Sequence, residues 1–426
     1  MSSGERISVD VDVQSDDGRE ASSSKSLIIE ATLLDAADWC DVTMITGGLQ
    51  NVDGPKRPLR FVKRFNLEQA PASARLYATA WGIYNVWING SRLGDLVFSP
   101  GWTSYNHRLK FQTYDITDAL RQGVNTIYAD VGEGWFNGKL AWAGRRNVFG
   151  ERNGFFAKLM IRQELSASSL VTINTDASWQ WAYGPLITSE LYDGEMYDGR
   201  IAQPELDSPD TEWRPADTVP FPQSVRLVAD TTPVRPVEVL EAARMIVTPT
   251  GKTVIDFGQN LVGFVRINRD LVCSGNHDAD DSYITLSLSH AEVLDEQGEI
   301  GMGALRSAKC VDKVIVGKQP IKSWTATFTF HGFRFVQIEG WDDQALQGGA
   351  LKLEDLSAVV VHSDLKRTGY FDCSNEKLNR LHSNVVWSMR GNFLSIPTDC
   401  PQRDERLGWT GDMAVFGRTA TYLSPS

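Results

Sequence analysis

The stretch Ala74–Gly90, ARLYATAWGIYNVWING, decides the fold class. Leu76 to Trp81 and Tyr84 to Ile88 are aromatic and β-branched. The Asn89-Gly90 pair behind them is the best short hairpin signal, because both residues tolerate positive φ. Downstream, the pattern predicts strands Leu93–Phe98, Leu109–Tyr114 and Thr126–Val131, with Thr117 or Asp118 capping the short turn DALRQG. Short strands with turn signals between them continue to about residue 240, which predicts an antiparallel sandwich of jelly-roll kind. A second β block, about 249–361, includes strands at Lys252–Asp256, Val262–Ile267, Ile284–Ser289, Trp324–Phe330 and Arg334–Glu339. The Pro-rich sequence between about 214 and 236 reads as a linker.

Upstream, residues 1–25 are polar, lack hydrophobic periodicity and are expected to be a disordered tail. Residues 26–72 form a weakly strand-like lead segment. At residue 374 the texture changes. Ser374 or Asn375 can cap a helix with Glu376 in its first turn, and Leu378, Leu381, Val385, Met389 and Phe393 follow at helical spacing until Pro397. A second helix is expected from Gly411 or Asp412 toward Tyr422. The organisation is therefore a lead segment, β-sandwiches at 73–240 and 241–362, and a helical segment at 363–426. An α-hairpin cannot bury both its apolar stripes alone, so we expect it to pack on the sandwiches or to open a longer helical domain, and we favour the second.

The 426 residues are 42 % hydrophobic and 23 % charged, an ordinary globular composition too long for one core. A net charge of −12 gives no electrostatic reason to seek nucleic acid or an anionic membrane surface. No apolar run of about 18 residues predicts a membrane span. The start has no basic segment followed by an apolar one, and the five scattered cysteines show no CxxC pair, so a cytoplasmic protein with reduced thiols is expected. Thirteen tryptophans stand against six histidines. Most tryptophans fill cores, but a flat indole face also covers the apolar face of a pyranose. With few histidines and no ligand-spaced cysteines, catalysis here would run on carboxylates.

The densest constellation spans Asp399 to Asp412 in a Pro- and Gly-punctuated loop between the two helices. It holds Asp399, Arg403, Asp404, Glu405, Arg406, Trp409 and Asp412. Charge runs of this kind are ordinarily solvated faces. Cys400, Leu407 and Trp409 are poor choices for such a face, however, and two arginines among three carboxylates would hold some ionised and leave another perturbed. Glycosidic hydrolysis needs one carboxylic acid to protonate the leaving oxygen and a second carboxylate to activate water or attack carbon. Glu405, beside Asp404, Leu407 and Trp409, has the like charge and apolar cover that would keep an acid protonated. Asp399 and Asp412 are close enough in sequence to bond sugar hydroxyls.

Several motifs occur together: ARLYATAWGIYNVWING (74–90), PGWTSYNHR (100–108), GEMYDGR (194–200), DFGQNLVGF (256–264), HAEVLDEQG (290–298), TFTFHGFRF (327–335), VHSDLKRTGYFDCSN (361–375) and NFLSIPTDCPQRDERLGWTGD (392–412). In this order the sequence resembles the α-L-rhamnosidases of glycoside hydrolase family 78, from about residue 58 to its end. The resemblance implies two β-sandwich domains, the second concanavalin-like, before an (α/α)6 toroid, and inverting hydrolysis of terminal α-L-rhamnose from rhamnosides or polysaccharides. It implies Glu405 as general acid, Asp399, Arg403 and Asp412 as rhamnose-binding residues, and Trp409 as an apolar wall. The family's general base is a glutamate far downstream in the toroid, which no position here matches, so this polypeptide alone is expected to be inactive. The usual amino-terminal fibronectin-like domain is shortened or replaced.

Other signals are weaker. Related enzymes carry a rhamnose-binding module in the first sandwich region, sometimes with calcium. Trp87, Trp102, Trp135 and Trp142 are its sugar-facing candidates, against a core-packing role. No Asp/Asn spacing resembles a calcium cage, so no metal ligand is assigned and no cofactor is expected. Asp256-Phe-Gly258 has no kinase context, and GEGWFNG no dinucleotide-binding one. Gly258 and Gly263 are expected at tight turns, and His290, His331 and His362 as structural residues. Two other functions fit the residues: a non-catalytic carbohydrate-binding β-sandwich protein whose helical tail docks a partner, and a toroid hydrolase of different sugar specificity. The aglycone and the oligomeric state have no signature.

Overall fold

In the computed structural model of the chain, strand Ser73–Trp81 lies at the centre of a seven-stranded sheet, between Gly154–Arg162 and Arg108–Asp115, which is why it is buried on both faces. Residues 1–23, 25–50, 53–163, 170–274 and 283–424 are described. The hairpin expected at Asn89-Gly90 forms, with φ +50° and +84°, and pairs Ile88 with Ser91. Strand Ile83–Ile88 belongs to a second, six-stranded sheet that also contains Leu59–Leu67 and Gly123–Gly132. The two sheets enclose one apolar core that includes Phe61, Leu76, Ala78, Val86, Ile127, Phe155 and Trp179. Their contact is the expected first sandwich.

Its boundaries differ from the sequence reading. Met44–Thr46 and Leu59–Leu67, inside the lead segment, are sandwich strands. Residues 1–25, expected to be without structure, carry strand Arg6–Val9 paired with Leu27–Glu30 and a small hairpin, Asp12–Gln14 with Glu20–Ser22. Backbone pairing, not burial, builds these elements, so hydrophobic periodicity carried no trace of them. The expected strand Leu93–Phe98 does not form. Gly94 and Phe98 take φ +61° and +57°, which breaks the extended run and leaves single bridges at Val97 and Ser99. The stretch 214–236 is not a free linker: Arg214–Pro215, Asp217–Val219 and Arg226–Ala229 all pair into the first sandwich.

The second β unit is one continuous nine-stranded sheet around Thr253–Ile267, a strand bulged between Asp256 and Leu261. Two of its strands, Leu186–Glu190 and Gly194–Asp198, come from sequence expected in the first sandwich, and the second pairs in parallel with Val311–Val316. Turn signals mark where strands end, not which sheet they join. The apolar run Trp324–Phe330 is buried but is not a strand, because the carboxylate of Glu195 takes the amides of Thr327 and Phe328 at 2.8 and 2.9 Å. Gly258 turns inside the bulge at φ +75°. Gly263 sits mid-strand, where a Cβ would come 1.8 Å from the carbonyl of Val359.

Phe98, Trp102 and Trp135 of the first unit and Phe330 of the second share one core. Trp102 and Trp135 stack at 6.1 Å there, so both are packing residues. Three α-helices occur among the described residues: α1, Gly134–Asn137; α2, Glu376–Asn392; and α3, Thr410–Leu423. None is long and apolar enough to cross a membrane. Asn375 caps α2 by accepting from the amide of Lys377. The helix stops at Asn392, before Pro397, which pairs with Phe393 in a two-residue ladder. Met389 and Val386 are buried, whereas Leu378 and Leu381 of the expected stripe are exposed.

Candidate active site

The loop from Thr398 to Trp409, between α2 and α3, is tied at both ends and in its middle. The amide of Thr398 donates to Asn392, that of Asp399 to Leu407, and that of Leu407 back to the Asp399 carboxylate at 3.1 Å. The anchor at its centre is Arg406. Among the described residues its buried guanidinium pairs with no carboxylate. It donates to the carbonyls of Leu191 (2.8 Å), Arg403 (3.0 Å) and Phe330 (3.3 Å) and lies 4.7 and 4.9 Å from the rings of Tyr192 and Phe330. The sequence suggested two arginines balancing three carboxylates, but Arg406 instead fastens the loop to the second β unit.

Fastening Arg406 fixes Glu405. The Glu405 amide donates to Ala141 in the first β unit at 3.0 Å, and its carbonyl accepts from the Tyr192 hydroxyl at 2.8 Å. Glu405 and Arg406 have φ +95° and +42°, and nearby Ala141, Ala143 and Arg306 also have positive φ. Backbone strain of this kind concentrates at functional sites. The held carboxylate is well supplied with donors. Oε1 accepts from the Trp409 indole at 3.0 Å, and Oε2 lies 2.7 Å from Arg403 and 3.0 Å from Arg306. Its partial burial favours the neutral acid, but the indole hydrogen bond and the charges of Arg403 and Arg306 outweigh that and hold its pKa below the usual glutamate range. This corrects the expected upward shift. Asp404, its intended like-charge neighbour, turns away and accepts from the Ser307 hydroxyl at 2.6 Å.

Asp399 sits behind Glu405. Their carboxylate oxygens and the Cys400 sulfur lie within 4.8 Å of one another. Asp399 accepts from the Cys400 thiol at 2.8 Å, and burial together with that carboxylate pushes the thiol up to about 12. A protonated thiol is a poor metal ligand. The other cluster of potential ligands among the described residues is His290, Asp312 and His331 in the second β unit's core, where the two imidazoles stack 4.2 Å apart. Asp412, in the first turn of α3, joins Asp399, Trp409, Asn392 and Phe416 around an open groove of about 480 Å³. The five predicted site residues therefore form two adjoining sets: Arg403 and Glu405 in one, Asp399 and Asp412 at the groove in the other, with Trp409 common to both.

Three participants carry little or no signal in the sequence. Arg306 and Tyr192 lie far from the loop in sequence and in no motif that points to it. Trp142, one of four candidate sugar-facing tryptophans, is exposed and lies 6.0 Å from Trp409. The fourth, Trp87, carries Arg60 5.2 Å over its ring.

Three family models match consecutive stretches of the chain: the alpha-L-rhamnosidase N-terminal domain at 69–238, the bacterial alpha-L-rhamnosidase concanavalin-like domain at 246–362, and the bacterial alpha-L-rhamnosidase 6 hairpin glycosidase domain at 366–425. An α-L-rhamnosidase of Streptomyces avermitilis is 39 % identical over 361 residues, covering 83 % of this chain and 33 % of that protein. The structure of the Aspergillus terreus α-L-rhamnosidase superposes on all of this chain with a TM-score of 0.89 and 40 % identity, over 48 % of its own length. That of the Streptomyces avermitilis α-L-rhamnosidase complexed with L-rhamnose gives a TM-score of 0.77 and 32 % identity, with 97 % of this chain and 40 % of that one covered. The chain thus spans between a third and a half of the length of these relatives. With these three domain models following one another along it, the chain belongs to the α-L-rhamnosidase family, glycoside hydrolase family 78.

Proposed function

We propose that this loop is the acid half of an inverting α-L-rhamnosidase centre that releases terminal α-L-rhamnose from rhamnosides. The observation that carries the reading is the Glu405 carboxylate, fixed through its own backbone by both β units and set beside a groove lined by Asp399, Asp412 and Trp409. Asp399 and Asp412 accept from sugar hydroxyls, Arg403 donates to them, and Trp409 covers the apolar ring face. Glu405 gives its proton to the glycosidic oxygen as the bond from that oxygen to the anomeric carbon breaks. Water adds from the opposite face and loses its proton to a second carboxylate. Asp399 is a poor candidate for that base. Its oxygen lies within 4.8 Å of the acid's, whereas inversion leaves about 6.5–9.5 Å between the two groups. We place the base outside residues 1–426. Glu405, whose indole and arginine partners favour its carboxylate form, must take up a proton before each turnover, which substrate displacing one of those partners would favour.

The test is rhamnoside hydrolysis by the full product of the gene. Glu405→Gln should lower kcat by about 10²–10⁴-fold while L-rhamnose still binds. Unchanged turnover in that variant overturns the assignment of the acid. The 1–426 polypeptide should bind rhamnose without turning over rhamnosides.

A further inference from the structure

The loop Lys139–Asn147 of the first β unit meets the acid. From below it is pinned by buried charge. Arg146 reaches Glu133 at 2.8 Å and Glu190 at 3.2 Å, both carboxylates being buried, and Lys139 reaches Asp193 at 2.6 Å. Glu190 also accepts from the Lys139 amide at 2.9 Å. From above, Ala141 receives the Glu405 amide. Between these two fastenings, Ala141 and Ala143 take φ +63° and +57° on either side of Trp142. Trp142 remains 43 % exposed, with its ring tilted 50° to that of Trp409, itself 42 % exposed. A large apolar side chain on a strained, doubly anchored loop, left half in water beside the acid, is not placed there for packing.

We infer that Trp142 binds the leaving group of the rhamnoside and favours leaving groups with a flat ring, either an aromatic aglycone or the apolar face of a second pyranose. This rests on the proposed rhamnosidase activity. A general acid donates to the glycosidic oxygen, so the leaving group lies on the acid's own side. The groove lined by Asp399, Trp409 and Asp412 serves the rhamnose, and Trp142 is not among the residues lining it. Trp142 instead stands beyond Trp409, on the wall that Ala141 shares with Glu405. A first-unit loop thereby sets the specificity of a site whose acid lies on the helical segment.

Trp142→Ala and Trp142→Phe are to be compared with the unaltered full gene product on an aryl α-L-rhamnoside and on methyl α-L-rhamnoside, with L-rhamnose as competitive inhibitor. For Trp142→Ala we expect KM for the aryl substrate to rise roughly 5- to 10-fold, the size of one lost ring stack, with kcat nearly unchanged. Its kcat/KM for the methyl substrate and its inhibition by L-rhamnose should stay within about two-fold, and Trp142→Phe should recover most of the aryl KM. Equal losses on both substrates, weakened inhibition by L-rhamnose, or an unchanged aryl KM would each overturn the inference. An unaltered enzyme inactive on both rhamnosides would overturn the activity reading, and this one with it.

Discussion

Arg306 Nη1 lies 3.0 Å from Glu405 Oε2, across 99 positions of sequence and from a different domain. The second β unit therefore supplies one of the two cations that hold the acid ionised, and the loop supplies the other, Arg403. Replacing Arg306 by Gln should move the Glu405 pKa up toward the usual glutamate range, since one of the charges favouring the carboxylate is gone. Carboxyl-labelled glutamate NMR would follow this directly. Arg306 is half exposed, so little global stability should be lost. An unmoved titration would mean that the contact does not operate in solution.

Arg406 makes a sharper prediction about the fold of the loop. The residue is 2 % exposed, and its guanidinium satisfies carbonyls on three separate segments. Arg406→Met keeps much of the volume but strands buried acceptors that cost about 1–3 kcal/mol each. We expect a loss of about 2–4 kcal/mol in urea unfolding, together with release of Glu405 from Ala141. Arg406→Lys should rescue little, because one ammonium cannot span acceptors arranged for a planar fork.

These two arginines show what was legible in the sequence. The strand–turn texture around Ala74–Gly90, the helix cap at Asn375 and the charged loop were local signals and stood in the residues themselves. Sheet membership was not local. Gly194–Asp198 reads like any short strand, and only its parallel partner Val311–Val316 assigns it to the second unit. The site was legible as far as its residues lay within one loop. The direction of the Glu405 shift was not, because it depends on Arg306 arriving from elsewhere and on Asp404 turning toward Ser307. Trp324–Phe330 misled for a related reason: its apolar content marked burial correctly, but a distant glutamate took its amides.

Gly194 opens the strand that pairs in parallel with Val311–Val316. Its φ is +105°, and a Cβ would lie 2.2 Å from the carbonyl of Val311. Gly194→Ala must therefore move one strand off the other, and we expect a cost of about 2–4 kcal/mol and a lower thermal midpoint. Gly251 is the control. It has φ +80°, and a Cβ there would meet nothing within 4 Å, so Gly251→Ala should cost only about 1 kcal/mol, the strain of the left-handed backbone alone. Equal costs would mean that the contact with Val311 relaxes freely.

The buried trio His290, Asp312 and His331 gives stability a pH dependence of known sign. His331 lies 3.1 Å from Asp312, which also accepts from the Glu195 amide at 2.9 Å. Burial opposes charge on His331, but the Asp312 charge and hydrogen bond prevail and raise its pKa to about 9. Burial and the neighbouring His331 lower that of His290 to about 3. Near pH 6 the core thus holds one ion pair and one neutral imidazole. A raised histidine stabilises fully below its unfolded value, about 6.5, and that contribution disappears as pH rises through about 9. Asp312→Asn should cost about 3–5 kcal/mol near pH 6, the cost of breaking a buried pair. The cost should shrink by pH 9.5, where His331 in the unaltered protein has also lost its proton. Urea unfolding of both proteins at the two pH values tests this. A cost equal at both would show that His331 is neutral throughout, and that Asp312 acts there only as a hydrogen-bond acceptor.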